Sequence, residues 1–216
     1  RIGKGAERFA IHAGGQELPM HDPKSDTGYG LHYIADPTPG RHTIGSNMIY
    51  ETLRLWTKGS WAPETPSTYP AGQKYVADAA QGVHAAGCVL AKMLIDGAGL
   101  CNFGLMMGVD RFPMFEYINA AAGWQKTPDE YMEIGRRIHT LRQMFNLREG
   151  VDPAQVRLPG VTHGDPPPER GPLKGKQFDV YAARAHTWRA LGWDAATGAP
   201  LAETVERLGL AVRPGE

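Results

Sequence analysis

The feature that most limits what this chain can become is the run from Gln73 to Ile95, which carries a helical pattern throughout. Val76, Ala79, Ala80, Val83, Gly87 and Leu90 fall on one face, and the small residues Ala77, Gly82, Ala85 and Ala86 fill much of the rest. A helix with so little side-chain bulk lets neighbouring backbones come close, so it is expected to sit deep among other helices. Strand signals are sparse elsewhere and no internal repeat is present. The expected fold is therefore mainly α and multihelical, and 216 residues are enough to bury a sizeable core.

Other segments support this reading. Asn47 to Lys58 is expected to be helical, with Met48, Leu53 and Leu55-Trp56 on its apolar side, and Trp61 to Pro70 reads as a connector. Phe112 to Ala122 forms a shorter helix. Thr127-Pro128-Asp129-Glu130 is a strong helix start, with a Thr cap, proline at the first position and a glutamate closing a capping box. Tyr131, Ile134, Ile138, Leu141 and Phe145 follow at helical spacing. Phe178 to Leu191 and Leu201 to Leu208 are the last helices, and Trp124 and Trp193 read as aromatic anchors at helix ends. Residues 15 to 45 hold so many turn formers (Asp22-Pro23, Gly28, Gly30, Asp36-Pro37, Pro39-Gly40) that a long loop is expected. Residues 151 to 176 are expected to run over the surface. The organisation is thus read as a loop over 1–45, a helical core over 46–150 and an extension over 151–216.

Composition excludes several classes. With 23 basic and 23 acidic residues the net charge is +0, which argues against nucleic acid or an anionic membrane held by bulk charge. The longest apolar run, about Ala85 to Ile95, is broken by Lys92 and is too short to span a bilayer. Two cysteines, Cys88 and Cys101, form no disulfide framework, so a cytoplasmic location is expected. Nor can two cysteines alone hold an iron–sulfur cluster or a structural zinc, so a metal site would draw on histidines or on residues outside this chain. The chain starts at Arg1 in what reads as the tail of an earlier element, and is expected to be a C-terminal piece of a longer protein.

Chemistry concentrates in Asp96-Gly97-Ala98-Gly99-Leu100-Cys101, at the end of the long helical run. The glycines admit a ligand close to the backbone, the carboxylate accepts from ring N–H groups, and a thiolate is a soft metal ligand. A carboxylate is unfavourable at a helix C-terminus, so Asp96 calls for a compensating donor. That donor is a bound ring, solvent or Lys92 four residues earlier. Cys88, mid-helix among Ala and Gly, reads as core. His42 sits in a Gly/Pro loop that can aim an imidazole into a cleft, and its titration near neutrality suits proton transfer. His21 is a weaker candidate for the same pocket. His84 and His139 read as packing or surface residues, and His32 and His163 carry no signal.

Taken together and in order, these segments resemble the C-terminal region of the aldehyde ferredoxin oxidoreductase family, the tungsten or molybdenum pterin enzymes. Gln16-Glu17-Leu18-Pro19-Met20-His21-Asp22-Pro23 is similar to a family segment. So are the loop from Gly28 to Thr43, Asp96-x-x-Gly99-Leu100-Cys101, Ala121 to Trp124, Met144 to Gly150, Gly192-Trp193-Asp194 and Leu208-Gly209-Leu210. The resemblance implies that Cys101 is the fourth ligand of a [4Fe–4S] cluster. It places Asp96 on the ring of one of two metal-bound pterins, with Leu100 and Asn102 on the same pterin through backbone groups. It puts His42 near the metal as a proton donor or acceptor. Thr38 belongs to the cofactor side of the loop, although better-known members carry basic residues at the places of Thr38 and Ile44. Arg41 is the neighbouring cation. The implied activity is oxidation of an aldehyde to a carboxylic acid, with electrons leaving through the cluster to ferredoxin or a similar carrier. The implied partners are that carrier, the rest of the same protein and a small aldehyde, with self-association left open. Two other readings are a relative using the same cofactor on another substrate, such as an aromatic thioester, and a non-catalytic helical module that binds a partner.

Overall fold

The computed structural model describes residues 3–44, 48–62, 73–106 and 112–210. The element that dominates it is the long small-residue helix, α3 (Ala79–Gly97). It starts later than the periodicity predicts. Gln73–Tyr75 is a separate 3₁₀ turn, and the Asp78 carboxylate caps α3 by accepting from the Gln81 N–H at 2.9 Å. Val76 is left exposed in consequence. From Ala85 to Ile95 every α3 residue is buried, Lys92 included.

Two glycines set the depth of that burial. A Cβ on Gly82 would lie 2.6 Å from the carbonyl carbon of His186, in α8 (Val180–Leu191). A Cβ on Gly135, in α6 (Pro128–Arg148), would lie 2.4 Å from the Leu90 oxygen of α3. Helix α3 is therefore clasped between α6 and α8 at backbone contact, as its composition predicts.

Helix α6 opens with the predicted capping box. The Thr127 hydroxyl accepts from the Glu130 N–H, and the Glu130 carboxylate accepts from the Thr127 N–H. Its inward face is Tyr131, Met132, Gly135, His139, Thr140 and Gln143. Ile134 and Ile138 pack at the edge of the core, but Leu141 and Phe145 are each 54% exposed, against the expectation of one continuous apolar stripe.

The long loop expected over residues 15 to 45 is not what forms. His12–Ala13 and Gln16–Glu17 pair as a short antiparallel hairpin, β1 and β2, and Thr27–Ala35 is an α-helix, α1. Asp26 caps α1 by accepting from the Gly28 and Tyr29 N–H groups. Gly30, read as a turn former, is instead a contact: its Cβ would stand 2.8 Å from Pro23. α1 is buried along nearly its whole length, and the Trp188 indole of α8 donates to the Ala35 carbonyl at 3.1 Å. The reading of 151 to 176 as a surface run also fails in part. Val156 and Leu158 are buried with Leu31, Ile34, Phe178, Val180 and Ala183 in a second core between α1 and α8.

Smaller elements complete the chain. Met48–Thr52 is α2, and the Asn47–Lys58 helix stops there because Arg54 takes a left-handed conformation before a 3₁₀ turn over Leu55–Thr57. Most of the predicted connector, and the side chain of Met48, lie outside the described residues. Asn102–Met106 (α4), Met114–Ala122 (α5), Gly160–His163 (α7) and Ala202–Arg207 (α9) follow. Trp193 is an anchor as expected, stacked on His139 and donating to the Thr140 hydroxyl. Trp124 is not: it is 49% exposed. Among the described residues no helix is long and apolar enough to cross a membrane.

Candidate functional site

The site begins where α3 ends. The Gly99 N–H donates to the Asp96 carbonyl and the Leu100 N–H to the Ile95 carbonyl at 2.9 Å, with Gly99 at φ +70°. This glycine stop turns the chain back over its last turn. Leu100 is tucked against the core, and Cys101 is presented to the outside as a free thiol. The Leu100 N–H is thus already used, so a backbone contact from this residue to a ligand falls to its carbonyl. Cys88 is the opposite case, fully buried, with burial pushing its thiol up to about 12. Next to Cys101, the Asn102 side-chain oxygen is buried without a hydrogen-bond partner among the described residues. Such an atom is costly unless something donates to it.

Asp96 has a partner on each oxygen. Lys92, whose side chain is only 3% exposed, donates to Oδ1, and the Arg41 guanidinium stands 3.5 Å from Oδ2. Lys92 is thus one donor to this carboxylate, as the i, i+4 spacing allowed. Two cations answer the unfavourable helix-end position of this carboxylate. They leave lone pairs on both oxygens, and the side chain remains 41% exposed.

Arg41 belongs to the loop after α1 and so joins the α3 terminus to the second half of the site. Its Nε donates to the Thr43 hydroxyl at 2.7 Å. Thr38, Gly40, Arg41 and His42, with Glu17, Leu18 and Pro19 from the hairpin side, line an open cleft of about 480 Å³. Ile44 is fully buried and faces away from it. His42 sits half-buried in a 3₁₀ turn, its ring 5.1 Å from that of His21. His21 in turn stacks on Tyr29 at 4.2 Å. The structure therefore brings His21 and His42 together. Burial lowers the pKa of His42, and His21 and Arg41 lower it further. At neutral pH it is a neutral imidazole, suited to accept a proton.

The donor set is incomplete for a metal. Among the described residues no three His, Cys, Asp or Glu side chains converge as a metal site. What the site offers is one exposed thiol, one carboxylate held by two cations, one orphaned amide oxygen and one neutral imidazole beside a cleft. That set fits a shared site: one ligand to a cluster, and acceptors for the N–H groups of an organic ring. Asp36 and Arg142, discussed below, carried no sequence signal. They meet because the tertiary fold brings the segment after α1 to the side chain of Arg142 on α6.

The chain matches the family model for aldehyde ferredoxin oxidoreductase, domains 2 and 3, over residues 1–210. It is similar to the tungsten-containing aldehyde ferredoxin oxidoreductase of Pyrococcus furiosus, 32% identical over 206 residues, covering 90% of this chain and 30% of that protein. The Thermococcus kodakarensis protein of the same name is 31% identical over 218 aligned positions, covering 96% of this chain and 32% of that protein. The chain belongs to the aldehyde ferredoxin oxidoreductase family, a family of oxidoreductases. It spans about 30% of the length of the curated relatives it matches.

Proposed function

We propose that this chain is the cofactor- and substrate-side helical part of an enzyme that oxidises aldehydes to carboxylic acids. The overall change is addition of one water to the aldehyde with loss of two electrons and two protons, the electrons leaving singly to ferredoxin or a similar carrier. When bound, a tungsten or molybdenum bis-pterin supplies the two-electron acceptor and a [4Fe–4S] cluster the one-electron exit.

The residues of this chain have distinct parts in that reading. Cys101 supplies one thiolate to the cluster, since its side chain is free and outward. Asp96, kept in place by Lys92 and Arg41, accepts from the N–H groups of a pterin ring, and the Asn102 oxygen takes a further donor. The Leu100 carbonyl and Thr38 complete the cofactor side. His42 accepts the proton released as water adds to the aldehyde, which its lowered pKa equips it to do at neutral pH.

The observation that carries this reading is the exposed Cys101 beside the orphaned Asn102 oxygen and the cation-held Asp96, at the end of the deepest helix. Metal analysis of the anaerobically purified full-length protein tests it. About four iron atoms and one tungsten or molybdenum per chain support it and identify the metal. Absence of both iron and heavy metal rejects it and leaves a helical module that binds a partner.

A further inference from the structure

We infer that Arg142 is a positioning residue: from α6 it fixes the segment that delivers Thr38, Arg41 and His42 to the cleft. Its Nη2 donates to Asp36 Oδ1 at 3.2 Å and to the Thr38 hydroxyl at 2.6 Å, while Nη1 lies 3.5 Å from Asp36 Oδ2. Asn146, one turn further along α6, donates to the Pro37 carbonyl at 2.6 Å. Three consecutive residues, Asp36, Pro37 and Thr38, are thereby gripped by one helix face. Asp36 tightens the same segment, accepting from the Thr38 N–H at 2.7 Å. His42 follows Thr38 by four residues.

The environment makes this grip rigid. The Asp36 side chain is fully buried, so its carboxylate depends on Arg142 for its countercharge. Met93 Sδ at 3.5 Å and His139 Nδ1 at 3.3 Å also meet the Arg142 guanidinium, whose side chain stays 26% exposed. Burial, then Arg142 and Arg136, hold the His139 pKa well below its ordinary value. His139 is thus neutral, and Arg142 is the cation that faces Asp36, whose carboxyl pKa burial raises while Arg142 and the Thr38 N–H pull it back down. A planar guanidinium bonding two residues at once fixes both distance and orientation, which an ammonium cannot. The ion pair joins α6 to the buried end of α1, and the same guanidinium also bonds Thr38, which lines the cleft with His42.

The clamp stands on this geometry, whereas its effect on turnover rests on the role proposed for His42. Amide hydrogen exchange of the full-length protein tests the first, comparing Arg142→Met, Arg142→Lys and Asn146→Ala with the parent. Peptides spanning 36–44 contain the Gly40 N–H, which donates to the Tyr33 carbonyl, and should exchange about tenfold faster in Arg142→Met. Arg142→Lys should recover part of the protection, and peptides from α8 should not change. Unchanged exchange at 36–44 in folded variants, with only a lower melting temperature, would overturn the proposal. Should Arg142→Met not fold, Arg142→Lys, which keeps the charge but not the fork that bonds Asp36 and Thr38 together, decides between the same two outcomes. In aldehyde oxidation, a loosened segment should lower kcat with partial rescue by lysine, and loosening without loss of kcat overturns the positioning role. A parent protein inactive toward aldehydes, but showing the exchange effect, rejects the function and leaves the clamp in place.

Discussion

Cys101 and Cys88 are thirteen residues apart on or beside one helix and differ in everything that governs thiol chemistry. One is exposed, and the other is sealed among Ala and Gly with its pKa pushed up to about 12. Cys101→Ala removes few contacts within this chain, so in the cluster-free protein stability should change by no more than about 0.5 kcal/mol, as read from the melting temperature. Cluster iron should be lost from the full-length protein, and unchanged iron content in that variant would reject the ligand role. His42 gives a second residue-scale prediction. Burial, His21 and Arg41 lower its pKa, so activity that needs the neutral ring should rise with pH along a limb on the acid side of an ordinary histidine's and then level off. His42→Gln should lower turnover about 100-fold and abolish that limb, as read from a pH–rate profile. At this scale the sequence exposes Asp96, Cys101 and His42 as residue types at telling positions. It does not expose Arg41 and Lys92 as joint partners of Asp96, because Arg41 comes from a loop more than fifty residues away.

At the scale of elements, α6 was readable and α1 was not, for a definite reason. The capping box and proline of α6 act within four residues, so local pattern suffices. Gly28 and Gly30 of α1 have poor helix propensity, and that helix is held by burial of Leu31, Tyr33 and Ile34 against other elements. The packing of α3 makes a sharp prediction. Gly135→Ala would place a methyl 2.4 Å from the Leu90 oxygen, and separating α3 from α6 should cost about 3 kcal/mol in thermal or urea unfolding. Gly97→Ala, whose Cβ would meet only Ile138 at 3.9 Å, should change stability little and serves as the control. Equal behaviour of the two variants would show that backbone contact does not set the depth of α3.

The whole molecule carries its pH sensitivity in its core. His32 is fully buried in α1, neither ring nitrogen has a hydrogen-bond partner among the described residues, and burial lowers its pKa to about 4. The unfolded chain takes up this proton near 6.5 and the folded one only near 4. Stability is therefore intact above 6.5 and falls as pH drops from 6.5 to 4, by about 3 kcal/mol for this group. His32→Leu should flatten that part of the stability–pH curve, and an unchanged slope would place the acid sensitivity elsewhere. The sequence by itself determined the helical class, the deep small-residue helix, the start of α6 and the residue types where α3 ends, because each depends on period or on neighbours within a few positions. Tertiary structure alone decided that residues 27–35 are helical, that His21 meets His42, that Arg41 reaches Asp96 and that Arg142 grips the segment before the site. Most of those contacts join residues far apart in the chain, beyond the reach of periodicity or of neighbours within a few positions, so only the packing of the whole chain makes them.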